Sequence, residues 1–190
     1  MPFEVRPVDI DERTPPGGSP EIIARRLARE KAEAARLMDV DAAIVAADTV
    51  VALDAAILAK PTDAADARRM LSSLRGRQHY VVSAVAVMRP GGRAALIRHP
   101  LTRVLMREYS DDDVEESIAR GEPFDKAGGY AIQDEVFRPV ESYDGCYCNV
   151  VGLSLWATLE VLRKAEIDIS HVSLSQLLPQ CATCPLRPDN

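Results

Sequence analysis

The alternation of apolar and polar residues divides the chain into short strands and helices. Phe3, Val5, Pro7 and Ile10 alternate with Glu4 and Arg6, the period-2 pattern of a half-buried strand. That segment ends in Asp9, Asp11, Glu12 and Arg13, before a TPPGG loop. Ser19-Pro20-Glu21 predicts a helix start, with Ser as N-cap and Pro at the first helical position. The helix should run to about Met38, with Ile23, Leu27, Ala34 and Met38 inward and Arg25, Arg29, Glu33 and Arg36 outward. Lys31 follows Leu27 by four residues and falls on the inward stripe. A lysine there either snorkels to the rim or reaches an anion beneath the helix.

Residues 44–61, IVAADTVVALDAAILAKP, read as a strand, a turn around Asp54 and a returning strand. Such a turn brings Asp48 and Lys60 towards one cleft. A carboxylate between two apolar runs is costly to bury unless it is paired, protonated or bound to a metal. The same stretch also suits a plain hairpin in which Asp48 caps a turn. Thr62 or Asp63 then caps a helix with Ala67, Met70, Leu71 and Leu74 on one face, stopped by Gly76. Tyr80 to Met88 is a strongly apolar strand, Pro90-Gly91-Gly92 a turn, and 94–97 with 101–106 the return, broken near Pro100. Ser110-x-x-Asp113 is a capping box for a helix ending at Gly121. Val136 to Tyr143 predicts another strand and Leu155 to Lys164 a last helix. This order indicates an α/β or α+β fold, one sheet with flanking helices.

At 190 residues the chain is expected to form one main domain. The net charge of −6 argues against a nucleic-acid polymer as partner, which needs a basic face. No run of about 18 apolar residues predicts a membrane span. The first residues lack the basic start and apolar core of a signal peptide, so a cytoplasmic location is expected. Of the 23 basic residues, 19 are Arg and only four are Lys, at positions 31, 60, 126 and 164. A lysine in so Arg-rich a chain suggests a site that wants a compact charge.

Three of those lysines sit beside carboxylates where the chain turns. Glu12, Arg13, Lys31, Asp48, Lys60, Asp125 and Lys126 form a mixed acid and base set. Such a set suits metal-assisted attack on a phosphate ester: carboxylates hold a divalent ion or accept a proton, and cations neutralise phosphate oxygens. Two glycines after Lys126 let backbone approach a ligand, and the amide of Gln133 can read a ring edge. Taken alone, DKAGGY also reads as an ordinary turn with an adjacent ion pair.

Taken in order, DIDER, LAREKA, ADTVV, the following KP, LRGRQHYVVSAVAV, GEPFDKAGGYAIQ and NVVGLSL resemble the Maf family of nucleoside triphosphate pyrophosphatases. The resemblance spans about residues 3 to 165. It implies a fold like the inosine triphosphatase group: an elongated twisted mixed sheet with a deep cleft between two lobes. It implies hydrolysis of a nucleoside triphosphate to monophosphate and pyrophosphate with magnesium or manganese, in a cytoplasmic homodimer. By the family pattern Asp48 accepts a proton or organises metal and water, and Glu12 is a metal partner. Arg13, Lys31, Lys60 and Lys126 are implied substrate contacts, supported by Asp125. The pair Thr49 and Gln133 resembles the branch acting on dTTP and UTP, with a role in clearing unwanted pyrimidine nucleotides.

Three departures qualify the resemblance. The family's opening strand and SxSPRR turn are not among these residues. That leaves a second expectation, a nucleotide-binding regulator of septum formation or cell division with impaired turnover. The usual GKP is Ala59-Lys60-Pro61, which adds a methyl where backbone packs closely. Finally, a pyrophosphatase domain at 1–166 is followed by a tail, 167–190, and cysteines fall on both sides of that boundary. Cys146-x-Cys148 and Cys181-x-x-Cys184 suit a structural four-thiolate zinc or iron–sulfur site, a labile disulfide, or free thiols.

Overall fold

A long helix lies across one face of a sheet, and its position follows from its own stripe. Helix α1 (Pro20–Met38) starts where Ser19 leaves extended backbone and Pro20 takes the first helical position. The computed structural model describes residues 3–13, 18–170, 172–173 and 177–188. The buried face of α1 is Ile23, Ala24, Leu27, Ala28 and Ala32. Burying each larger side chain there contributes about 2 kcal/mol. Cover ends at Ala32, so Met38, expected on the stripe, is 56% exposed.

The sheet contains β1 (Ile44–Leu53), β2 (Ala56–Leu58), β3 (Gln78–Met88), β4 (Leu96–Arg98), β5 (Leu101–Met106) and β6 (Val140–Asp144). The order is β2-β1-β3-β5-β6, with β4 pairing β3 beyond the end of β5. Every described pairing is antiparallel. The expected α/β class, one sheet with flanking helices, is the one observed.

Alternation along the strands sends residues to two cores. Val50, Val82, Ala84, Ala86 and Met88 face α1. Val51, Leu53, Val81, Val104 and Met106 face the opposite side, with α2 (Ala64–Leu74) and α3 (Asp111–Ala119). Val85 and Val87 meet α5 (Leu155–Lys164) on that side. The predicted caps form: Asp63 accepts from the Asp66 amide, and Ser110 with Asp113 makes a complete capping box.

Two gaps in the pairing position the site. β2 pairs only with Val51 to Leu53, so the outer edge of residues 44–50 of β1 stays open. On β3, β5 pairs as far as Val82 and β4 begins at Val85, which leaves Ser83 between them. The carboxamide of Asn149, from α4 (Tyr147–Val151), fills that second gap. Its Oδ1 accepts from the Ser83 amide at 2.9 Å, and its Nδ2 donates to the Val81 carbonyl at 2.9 Å.

Two expectations are corrected. The segment at Phe3–Ile10 is not a strand: no sheet edge pairs with it, and Phe3 and Val5 are 85% and 77% exposed. β6 begins at Val140 rather than Val136, because Asp134 Oδ1 accepts from the Val136 and Phe137 amides, each at 3.0 Å, and holds those residues in a turn. Most of the TPPGG loop lies outside the described residues. After α5 the chain packs back: Val172, Leu177 and Leu186 join Trp156, Leu159 and all four cysteines around α6 (Pro179–Ala182). Among the described residues, no helix is long and apolar enough to cross a membrane.

Candidate active site

The open edge of β1 is the floor of a cleft of about 360 Å³, within the usual range for small-molecule sites. Residues from both faces of β1 line it, because the cleft wraps around the edge. Leu27, Lys31 and Asp48 come from the α1 side, and Val51, Tyr130 and Val150 from the other. The backbone orientation of β1 follows from its hairpin. A two-residue turn, Asp54-Ala55, closes the pair Leu53 and Ala56, so Leu53 and Val51 direct their peptide groups towards β2. By the same alternation Thr49 and Ala47 direct theirs to the open edge, into the cleft.

Asp48 stands on the α1 face, and the inward-facing Lys31 meets it there. Lys31 Nζ lies 2.7 Å from Asp48 Oδ1 and 2.7 Å from Glu12 Oε1. The two carboxylate oxygens are therefore at most 5.4 Å apart, twice that distance. The Asp48 side chain is only 9% exposed, against 21% for Lys31 and 50% for Glu12. Burial holds the Asp48 carboxyl above its ordinary value, against the pull of Lys31, and the charge of Glu12 pushes the same way. Lys31 loses solvation too, but Asp48 and Glu12 together outweigh that loss and raise its pKa. Glu12 is held low by its hydrogen bond to Lys31. One ammonium thus serves two carboxylates, and the trio carries one surplus negative charge.

Lys60 reaches the cleft from the end of β2 and makes no ion pair among the described residues. Its charge acts on Glu12, Asp48 and Asp125 together, which places it among all three. The Asp125–Gln133 loop forms the facing wall. Lys126 Nζ holds Asp125 Oδ1 at 2.6 Å and the Glu122 carbonyl at 2.9 Å. That hydrogen bond keeps Asp125 low, and the two acids outweigh burial to keep Lys126 high. The loop is docked by Gly128, whose amide donates to the Ala59 carbonyl at 3.0 Å. Gly128 has φ +73, and a Cβ there would stand 3.0 Å from Val51 Cγ1. The extra methyl of Ala59 is exposed, so the departure from GKP costs no close packing.

Thr49 points to the side away from Asp48, into a hydroxyl relay. Its Oγ1 lies 2.8 Å from Ser83 Oγ, and Ser83 Oγ donates to the Asn149 carbonyl at 2.6 Å. Ser83 has one proton and spends it on that carbonyl. The Thr49 proton is then shared between Ser83 and the Gly152 carbonyl, 3.4 Å away, and either use leaves the Thr49 hydroxyl an acceptor towards any further partner.

The structure brings Glu12, Lys31, Asp48, Thr49, Lys60, Asp125, Lys126 and Gln133 to one cleft. Arg13 is not brought there. Its side chain is 90% exposed and held by its near neighbour Asp11, Nη2 to Oδ2 2.5 Å. Ser83, Tyr130 and Gly152 belong to the site's construction and were missed in the sequence. A lone hydroxyl inside YVVSAVAVM was the available signal for Ser83; Tyr130 and Gly152 offered none beyond their place in two motifs.

A family model of Maf-like proteins matches residues 1–165. The chain belongs to the Maf-like protein family. A dTTP/UTP pyrophosphatase of Thermomicrobium roseum is 52% identical over 189 residues, 99% of this chain and 86% of that protein. One from Citrifermentans bemidjiense is 41% identical over 161 residues, covering 85% and 83% of the two chains. One from Pelotomaculum thermopropionicum is 38% identical over 170 residues, covering 89% and 88%. The Thermomicrobium match takes in the tail of this Maf-like chain as well as its sheet.

The divalent metal that the sequence resemblance implies would meet oxygen donors in this cleft. Glu12 and Asp48 offer hard oxygen donors within 5.4 Å of each other. Magnesium and manganese sites commonly use one or two carboxylates and complete their shell with water and substrate phosphates. The surplus negative charge of the trio is what a cation would relieve. These residues fit such an ion.

Proposed function

We propose that this chain hydrolyses dTTP and UTP to the monophosphate and pyrophosphate, clearing unwanted pyrimidine nucleotides. The observation that carries the reading is the convergence of Asp48, Glu12 and three lysines on the open edge of β1. Pyrophosphate leaves when water attacks the α-phosphorus. Asp48, buried beside Lys31 and Glu12, either takes the proton of that water or, with the ion bound, holds metal and water in line. Lys31 holds Asp48 in place and, with Lys60 and Lys126, neutralises the phosphate oxygens. Glu12 and Asp48 would hold the divalent ion, which supplies Lewis acidity and charge neutralisation when bound.

Thr49 and Gln133 set the choice of base. An acceptor-only hydroxyl at Thr49 suits the imide N–H of thymine or uracil and has nothing to offer the bare ring nitrogen of cytosine. The amide of Gln133 both donates and accepts, as the same pyrimidine edge requires. The family likeness supports a cytoplasmic homodimer, which sedimentation of the purified chain tests.

Pyrophosphate release from a nucleotide panel with magnesium or manganese is the direct test, run beside Asp48→Asn. Release from dTTP and UTP is expected, with little from GTP. The variant should lose about 10²–10⁴-fold in kcat. An inactive wild type, or an Asp48→Asn variant of full activity, defeats the reading.

A further inference from the structure

We propose that Cys146, Cys148, Cys181 and Cys184 form a tetrathiolate site for one zinc ion, which staples the tail to α4 and so holds the α4 wall of the cleft.

The four thiols come from two distant segments and meet in one place. Cys146 is the N-cap of α4 and Cys148 lies in its first turn, while Cys181 lies in α6 and Cys184 just beyond it. All four are buried, at 2%, 8%, 3% and 7% exposure, and none is in a disulfide. Cys148 Sγ lies 3.0 Å from Cys181 Sγ, and Cys146 and Cys184 pack in the same buried cluster. That contact joins the Cys-x-Cys to the Cys-x-x-Cys. The packed neighbours are apolar or aromatic, with Ser154 Oγ 3.4 Å from Cys146 Sγ, and the four thiols make a soft donor set, which selects zinc over magnesium or calcium.

As placed, the thiols cluster without framing a ready metal centre among the described residues. A tetrahedral ion with bonds of about 2.3 Å sets its sulfurs about 3.8 Å apart. Loading therefore moves Cys148 and Cys181 apart by roughly 0.8 Å, within reach of small χ1 rotations.

The tail has reason to need the staple. α6 has four residues, Pro179–Ala182, too few to hold a helix by itself. Leu178 beside it is 47% exposed. Trp156 Nε1 donates to the Cys181 carbonyl at 2.9 Å, an anchor of ordinary strength. A structural zinc contributes far more than one hydrogen bond, because its binding free energy adds to folding.

The site also connects to the cleft. The Cys146 amide donates to Thr102 Oγ1 at 3.0 Å, and that oxygen also accepts from Asn149 Nδ2 at 2.9 Å. Asn149 clamps Ser83 and Val81 of β3, and the next residues, Val150, Val151 and Gly152, line the cleft. Two ligands on either side of Tyr147 would fix the start of α4, and so the wall that follows. This coupling rests on the proposed nucleotide site; the metal site itself does not.

The test is elemental analysis of the full chain purified under reducing, oxygen-free conditions. About one zinc per chain is expected, as a closed four-thiolate site binds, and almost none in Cys181→Ser/Cys184→Ser. Cobalt should replace zinc in the wild type and give the strong visible absorption of a tetrahedral thiolate complex. That readout does not depend on the variant folding. A reduced wild type that neither retains zinc nor takes up cobalt overturns the site, as does an iron–sulfur chromophore or a Cys148–Cys181 disulfide in the freshly isolated chain. The zinc-free variant should keep kcat for dTTP within about twofold and raise KM about three- to tenfold, a change of roughly 1 kcal/mol. An unchanged KM overturns the coupling to the cleft. Failure of nucleotide turnover in the wild type would leave the metal stoichiometry readable, so the two failures are distinct.

Discussion

Lys31 shows how much one position can reveal. Its spacing on α1 placed it on the inward stripe, where it could snorkel to the rim or reach an anion, and it pairs with two carboxylates. The acid that satisfies it, Asp48, was singled out from the apolar runs around it. Ser83 shows the opposite case. It was hidden within an apolar strand because its partners lie 34 and 66 residues away, and no local pattern encodes them. Its effect can be measured. Ser83→Ala leaves the Thr49 proton only the long 3.4 Å contact with the Gly152 carbonyl, so the hydroxyl can turn and donate to a base, and the preference for UTP over CTP in kcat/KM should fall by up to about tenfold, the equivalent of one hydrogen bond of about 1.4 kcal/mol. An unchanged ratio would mean that Ser83 does not set the polarity of Thr49. His79 offers a second residue-scale test. It is fully buried with Nε2 2.7 Å from the Tyr130 hydroxyl, and burial pushes its pKa from 6.5 to about 4. Below pH 6.5 the unfolded chain takes up a proton that the folded chain refuses until about pH 4, so stability falls as pH drops through this window. Urea unfolding should lose about 2 kcal/mol from this group between pH 7 and pH 5, and His79→Phe should flatten that slope.

Elements with a local signature were legible, and those that needed a distant partner were not. Asp63 and Ser110 announced their helices because a cap is made within four residues. The alternation at Phe3–Ile10 was equally clear and still produced no strand, since a strand needs a neighbouring edge that its own residues cannot supply. The 125–133 loop falls between these cases. Its glycines were visible, but not that Gly128 docks it on Ala59 and Val51. Gly128→Ala adds a left-handed backbone cost of about 1–2 kcal/mol to a crowded Cβ, so a loss of about 1–3 kcal/mol is expected in unfolding experiments. The loop carries Lys126 and Gln133, so KM for dTTP should rise more than kcat falls. A variant of unchanged stability and KM would show that the loop does not depend on this contact.

At the scale of the whole molecule, the cleft exists because β2 is short. Three residues of β2 cover three of β1, and the rest of that edge is left without a strand. Polar side chains from four regions gather around it: Glu12 before α1, Lys31 on α1, Lys60 after β2 and Lys126 after α3. This gathering was expected from the mixed charges, but its geometry depends on which edge is open, and only the sheet order reveals that. An open edge also has a cost of its own. The stretch 44–50 is IVAADTV, apolar and β-prone, and Val45 is 44% exposed. Such an edge is a template on which another chain can add a strand, the first step towards aggregation. Nucleotide in the cleft would cover that template, so the substrate doubles as a guard against self-association. Amide hydrogen exchange at Ala47 and Thr49 should be fast in the free chain and slow with a non-hydrolysable dTTP analogue, and light scattering on warming should be delayed in step. Equal exchange in both states would mean that the edge is shielded by something other than the nucleotide. On this view the ligand that fills the cleft and a strand that would add to the sheet compete for the same stretch, residues 44–50.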